Sequence, residues 1–482
     1  MADDFVDVLI VGAGLSGIGA AAHLQRHCPE RSVAILEARD ALGGTWDLFR
    51  YPGVRSDSDM HTLGYSFRPW TGTKTIADGA SILDYLRATA REHGIDRLIR
   101  YRHRVRSASW SSHDAKWSVE AELESGERRV FRCTFLFVCS GYYDYAEGYA
   151  PQFPGLERYR GRVVHPQHWT DDIDPAGKRV VVIGSGATAV TLVPALARSA
   201  AHVTMLQRSP SYVLSLPSVD PFAQWLRRHL GFATSHALTR WKNVLVSVGI
   251  FKLCRRRPAF AKSALLKQVR RQLGPEYDID RHFTPRYNPW EQRLCFVPDG
   301  DLFKAIRSGR ASVVTDTIES FTEGGLKLAG GAELPADLVV TATGLKLKLV
   351  GGLEMRVDGH KLVPAELVNY KGVLFAGVPN FASISGYTNA SWTLKADLAS
   401  TFVCRLLNHM RRTGARQCVP RADGETMALQ PWVDFSSGYF QRAMDQLPKQ
   451  GTRKPWKLNQ NYLADLMTLR FGAVDDGVMR FS

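Results

Sequence analysis

One local pattern occurs twice in this chain of 482 residues, and that repetition limits its fold more than any other feature. Near the start, "VDVLIV" (6–11) reads as a buried strand, and "GAGLSG" then opens a helix through "IGAAAHLQRH". An unbroken apolar run of this kind suits a parallel strand covered on both faces. Gly12 permits the tight turn, Gly14 lets a pyrophosphate approach backbone N–H groups, and Gly17 lets the helix pack closely on the strand. Ser16 belongs to the same phosphate-facing turn. The next strand, "SVAILE", ends in Glu37, which suits ribose hydroxyls and repels a 2′-phosphate. The ligand of this unit is therefore FAD or NAD.

The second copy is "KRVVVIGSGATAVTLVPALA". Gly184, Gly186 and Ala189 repeat the turn, alanine being permitted at the third position, with Ser185, Ala187 and Thr188 between them. The following strand, "HVTMLQRS", finishes on Gln207, Arg208 and Ser209, where the first unit has an acid. A cation and a hydroxyl suit a 2′-phosphate, so this turn favours NADP. Two such units predict an α/β protein with two dinucleotide-binding, Rossmann-like domains. The chain is also too long for one core.

Composition excludes several other classes. A hydrophobic content of 45% with 41 glycines describes an ordinary α/β protein, neither disordered nor fibrous. The opening "MADDFVDVLIVGAG" is acidic and then strand-like, which is not the pattern of a signal peptide, and no apolar run is long enough to span a bilayer. The seven cysteines are scattered and never spaced as CxxC, which points to a reducing, cytoplasmic setting without structural zinc or a redox dithiol. The net charge of +15 is unevenly placed: residues 221–275 hold twelve Lys and Arg and no Asp or Glu. Beside "VLVSVGIF", this basic stripe is read either as peripheral contact with an anionic membrane or as a solvated face that attracts an anionic dinucleotide. It is not read as a nucleic-acid site.

Other stretches fit a flavin site. "GGTWDLFRYPGVRSDSD" (43–59) follows the first unit, and Gly43 and Gly44 allow close backbone approach. Thr45, Trp46, Asp47, Arg55, Ser56 and Asp57 in this stretch, with Val105 further on, are candidate contacts to the flavin cofactor. "ADLVVTATG" (336–344) is a strand ending in small residues, and Asn389 in "GYTNASWTLKADL" stands before a helix start. "YRGRVVHPQHWTDD" (159–172) places His165, His168 and Trp169 just ahead of the second turn. Histidines so placed suggest a metal site or a general base, but no cysteine or carboxylate stands at ligand spacing, so no metal is expected.

Together these motifs resemble the class B flavoprotein monooxygenases of the Baeyer–Villiger type, whose signature reads F-x-G-x-x-x-H-x-x-x-W-[P/D]. Tyr159, Gly161, His165 and Trp169 match its spacing, with Tyr159 in place of Phe and Thr170 in place of Pro or Asp. Likeness to the actinobacterial ethionamide monooxygenases is closer still, through "GGTWDLFRYPG", "RSDSDM", "HPQHW", "NPWEQRLC" and "GYTNASWTLKADL". The resemblance implies an FAD domain in 1–150 and 343–482, and an NADP domain in 151–342 whose helical insert covers about 215–285. It places Gly161, His165 and Trp169 on the interdomain linker, coupling domain motion to nicotinamide position; a purely structural role for them stands beside that reading.

The implied reaction uses NADPH to reduce FAD, and the reduced flavin takes up O2 as a C4a-peroxyflavin. Oxygen then passes to a ketone, giving an ester, or to the sulfur of a sulfide or thioamide. A fixed cation beside the developing negative charge is needed, and the resemblance assigns it to Arg293, held by Asp57. Two alternatives remain: an N- or S-oxygenating flavin monooxygenase of another branch, and a flavin-dependent NADPH oxidase or redox sensor.

Overall fold

In the computed structural model, which describes residues 4–422 and 427–482, two sheets account for the repeat. Strand β1 (Asp4–Val11) is central to the first, and its Val8, Leu9 and Ile10 are wholly buried, as a strand covered on both faces requires. It pairs in parallel with β2 (Val33–Leu36) on one side, Ile10 facing Ile35. Beyond β2 lies β3 (Ile99–Arg100). On the other side of β1 stand β6 (Arg128–Val138), then β5 (Lys116–Leu123) and β4 (His103–Ser111), the last three joined as antiparallel neighbours. In β5 the buried residues alternate, Trp117, Val119 and Ala121, because only one face meets the core. Strand Glu354–Val357 returns from much later in the chain to pair with β4, and Phe381–Ser383 pairs with β6.

Between these two contributions the chain builds a second, all-parallel sheet. Its strands are β7 (Arg162–Val164), β8 (Arg179–Ile183), β9 (His202–Gln207), β10 (Ala311–Thr315) and β11 (Leu338–Thr341). Their spatial order is β10-β9-β8-β11-β7. Helix α1 (Leu15–His27) follows β1, and α2 (Ala187–Leu196) follows β8, so each glycine-rich turn lies between a buried strand and a helix.

After β9 come three basic helices, α3 (Pro221–His229), α4 (Phe232–Arg256) and α5 (Pro258–Leu273). Expected as a cap on the second sheet, they divide their contacts. Helix α5 packs on Val213–Leu216 beside the second sheet, but α4 lies against the Met60–Leu63 turn of the first half. The long helix α6 (Trp392–Thr413) is buried along most of its length and packs on α1.

Candidate active site

Between the sheets runs a cleft of about 390 Å³ whose walls come from both halves. The first turn forms one end. Gly12 sits at φ +101°, and a Cβ there would lie 2.9 Å from the carbonyl oxygen of Cys139, so only glycine fits. A Cβ on Gly44 would lie 3.1 Å from Cα of Gly14, which means that two bare backbones face each other across the cleft. Such a cradle exposes N–H groups to a pyrophosphate at the start of α1. Gly12, Gly14 and Ser16 line the cleft, and Gly17 lies outside it, pressed against Gly12.

Glu37 also lines the cleft, buried at the end of β2. Its carboxylate accepts from the N–H of Ala13 at 2.7 Å and of Arg39 at 2.9 Å. Burial raises its pKa, and these backbone bonds work against that rise. Each oxygen keeps a lone pair for a ribose hydroxyl. Gly44, Thr45, Trp46 and Val105 are on the wall as well. Asp47 is not: it is buried and pairs with Arg39 (2.7 Å), Arg50 (3.4 Å) and Arg87 (3.7 Å), so its charge is spent inside the protein. The donors and glycines of this region fit an FAD pyrophosphate and ribose.

The segment carrying Arg55, Ser56 and Asp57 crosses to the other half. At Gly53 a Cβ would meet that of Ala195 at 2.7 Å, which presses the loop onto α2. Arg55 pairs with Asp301 at 2.5 Å, and the Tyr51 hydroxyl bonds to Thr188. Arg293 Nη2 lies 2.8 Å from Asp57 Oδ2, and both residues face the cleft. Burial alone would weaken the guanidinium's charge. The Asp57 carboxylate, helped by Tyr439, Tyr143 and Tyr142, outweighs it and raises the Arg293 pKa above its already high range. A permanent cation, 236 residues from its acid, is thereby fixed where the halves meet.

Comparison with known proteins gives this cleft a family. The FAD-containing monooxygenase EthA of Mycobacterium tuberculosis (strain H37Rv) is 53% identical over 480 residues, covering 99% of this chain and 98% of the relative. The putative FAD-containing monooxygenase MymA of the same strain is 51% identical over 483 residues, covering 99% and 97%. The chain belongs to the FAD-containing monooxygenases. A flavin-binding monooxygenase-like family profile matches residues 71–229, and an NAD(P)-binding Rossmann-like profile matches 10–71. Its fold is that of cyclohexanone monooxygenase, solved with ε-caprolactone bound, at a TM-score of 0.78 and 20% identity over 99% of this chain and 100% of that one.

In this monooxygenase the second turn is as tight as the first at Gly184, where a Cβ would lie 2.3 Å from the Ala342 carbonyl oxygen, but it reaches the cleft less. Ala187 and Thr188 reach the cleft; Gly184, Ser185, Gly186 and the buried Ala189 do not line it. A Cβ at Gly186 would meet nothing within 4 Å, leaving the backbone accessible. Arg208 and Ser209 are exposed, and no carboxylate lies within ion-pair distance of Arg208 among the described residues. Gln207 departs from expectation. It is buried, and its amide donates to the His282 carbonyl (2.8 Å) and the Thr315 hydroxyl (2.9 Å), so it braces the sheet.

The linker histidine is tied to the crossover. His165 Nδ1 accepts from the N–H of Gln167 at 3.2 Å, leaving Nε2 to donate to the Gly344 carbonyl at 3.1 Å. Its pKa is lowered by burial, which keeps the ring neutral near pH 7. Gly148 makes room for it, since a Cβ there would lie 2.0 Å from the ring. At Gly161 a Cβ would strike the Tyr159 hydroxyl, and Trp169 packs on the second core.

Asn389 is not on the cleft wall; its amide donates to the Gln460 carbonyl at 2.9 Å. Helix α6 starts later, and its first residue, Trp392, lines the cleft and donates to the Ser16 hydroxyl at 2.8 Å. Sequence reasoning missed Tyr51, Tyr142, Tyr143 and Tyr145, all on the wall. Burial pushes Tyr145 up to about 12, and its hydroxyl lies 3.0 Å from that of Thr45. The signal was the tyrosine-dense run "GYYDYAEGY" directly after β6.

Proposed function

We propose that this chain uses FAD, NADPH and O2 to oxygenate small apolar molecules. It would insert oxygen beside a ketone carbonyl to give an ester, and add oxygen to the sulfur of a sulfide or thioamide. One oxygen atom of O2 enters the product and the other leaves as water, with two electrons from NADPH. The reading draws on the resemblance to Baeyer–Villiger enzymes, and on a neighbour of the same fold whose bound ε-caprolactone is a cyclic ester.

Residues 1–150 and 343–482 hold FAD in this reading, through Gly12–Gly17, Glu37, Gly44–Trp46 and Val105. Residues 151–342 hold NADPH, with Gly184–Ala189 at the pyrophosphate and Arg208 and Ser209 at the 2′-phosphate. Bound FAD supplies the oxygen-activating chemistry. Arg293 offers a fixed cation to the negative charge that develops on oxygen, Asp57 orients it, and Tyr143 and Tyr145 help exclude water from the cleft. His165, with Gly161 and Trp169, positions the halves and takes no part in proton transfer.

The observation that carries this reading is the Arg293–Asp57 pair, 2.8 Å apart on the cleft wall where the two halves meet. The test is incubation with NADPH, O2 and a ketone or thioamide, with products identified by mass spectrometry. In Arg293→Ala, FAD stays bound while oxygenated product falls a hundred- to a thousand-fold, about 2.7–4 kcal/mol. NADPH is still consumed, its electrons leaving as hydrogen peroxide. Ester or sulfoxide formed at the parent rate by flavin-loaded Arg293→Ala would remove Arg293 from the chemistry.

A further inference from the structure

The first half of helix α4 is built inside out. Its buried side there is polar: Ser235, His236 and Thr239 are covered, with Arg240 and Asn243 continuing the same face at helical spacing, whereas further along Val244 and Cys254 are the buried residues. Arg240 donates to the carbonyls of His61 (2.7 Å) and Gly64 (2.8 Å) and lies 3.5 Å from Asp397. Asn243 donates to Asp59 at 2.8 Å. Leu238, Trp241 and Leu245 stand opposite this polar face and are exposed, Leu245 by 54%; Val246, Ile250 and Leu253, nearer the helix end, are exposed as well. A helix on a protein surface ordinarily has the reverse arrangement. The neighbouring helices also expose large apolar side chains, Phe222 and Trp225 on α3 and Phe260 on α5, the last 61% exposed. So many exposed large apolar residues on three packed helices mark a site of interaction.

Charge decides what covers it. The three helices lie within residues 221–275, which hold twelve cations and no acid. Arg227, Arg228, Lys252, Arg256 and Arg257 are exposed among the apolar residues, and Arg255 pairs with Asp434 at 2.9 Å. A second copy of the chain meeting this face symmetrically would set cations against cations, with no acid in the segment to answer them. An anionic bilayer satisfies both demands, since acyl chains receive the apolar row and headgroups receive the cations. No helix of the described residues is long and apolar enough to cross a membrane, so the contact lies in the plane of the interface.

We propose that α3, α4 and α5 form a docking face for an anionic lipid bilayer. Leu238, Trp241 and Leu245 enter the acyl boundary, and Arg227, Arg228, Arg256 and Arg257 meet the headgroups. Just beneath this face Val244 packs with Tyr387 and Leu394, and Tyr387 lines the cleft. A docked bilayer therefore lies one layer of side chains from the candidate active site.

The test is co-sedimentation of the flavin-loaded full chain with vesicles of phosphatidylglycerol and phosphatidylcholine, or of phosphatidylcholine alone. Binding to the anionic vesicles is expected to be at least about tenfold tighter and to weaken as salt is raised. The double variant Leu238→Glu/Leu245→Glu is expected to lose at least about tenfold in affinity, because an apolar side chain buried in lipid contributes about that much. It should keep its FAD and its rate of NADPH oxidation without vesicles, which separates failed docking from failed folding or catalysis. Brominated lipid should quench the parent's fluorescence more than that of Trp241→Phe. Equal binding to both vesicle types, undiminished binding by the double variant, or a solution dimer that buries Trp241 would each overturn the proposal.

Discussion

In the first glycine-rich turn a Cβ at Gly17 would lie 1.9 Å from the carbonyl oxygen of Gly12; in the second, the same position is Ala189, packed without any exposure. The acid that closes the first unit, Glu37, is buried and accepts two backbone N–H groups, whereas Arg208, closing the second, stands exposed. One motif has thus been finished in two ways. The first is welded into the sheet core, so losing its ligand residues also damages the fold. The second is as tight at Gly184 but open at Gly186 and at Arg208, where side chains can change without cost to packing. That contrast suits a resident flavin and a coenzyme that comes and goes.

The hardest way to break the contrast is to give the first turn the second turn's residue. In Gly17→Ala the new methyl meets backbone that cannot swing away, so destabilisation of about 3 kcal/mol and loss of bound FAD are expected. Flavin absorbance of the purified variant and its thermal midpoint check this. Retention of full FAD would show that the first turn is no tighter than the second.

Glu37→Ala comes next, because it leaves the N–H groups of Ala13 and Arg39 without their acceptor. An orphaned buried donor costs about 1–3 kcal/mol, so stability and FAD affinity should fall together in denaturant titration. Arg208→Ala should leave the denaturation midpoint unchanged. It should raise the KM for NADPH roughly ten- to a hundred-fold, corresponding to about 1.5–3 kcal/mol for hydrogen bonds to a charged group, with little effect on NADH. Equal losses with both coenzymes would sever Arg208 from the 2′-phosphate.

The most gradual effect concerns pH. Burial, then Arg240 and His61, lower the pKa of His236 from 6.5 to about 4. The unfolded chain then binds this proton below pH 6.5 while the folded chain does not. Stability present above about 6.5 is therefore lost as pH falls toward about 4, by at most about 1.4 kcal/mol per pH unit for one group. His236→Gln should flatten this part of the curve of midpoint against pH. An unchanged slope would place the loss on other histidines.

Both turns, their strands and the acid–cation contrast were legible because each lies within a run of about thirty residues, where backbone geometry and hydrophobic period act locally. Gln207 and Asp47, expected as cofactor contacts, both have side-chain partners inside the protein. Their types suit ligand contact, but whether the donor or charge is already spent depends on His282, Thr315 and three arginines brought in by folding. Asn389 was placed too early, since α6 starts at Trp392. The tyrosines of the cleft were visible as a run, yet nothing local marks a loop as a wall.

The sequence by itself showed two dinucleotide-type turns, each between a strand and a helix, and their different closing residues, Glu37 and Arg208. It also carried the resemblance that names Arg293 and Asp57. Only the tertiary structure decided that these two stand 2.8 Å apart, because no local period relates residues so distant. It alone decided which side of α4 looks outward as well. Periodicity assigns no clear inner side to this helix, so the choice belongs to the partners: the carbonyls of His61 and Gly64 and the carboxylates of Asp59 and Asp397 draw Arg240 and Asn243 in and leave Leu238, Trp241 and Leu245 outside.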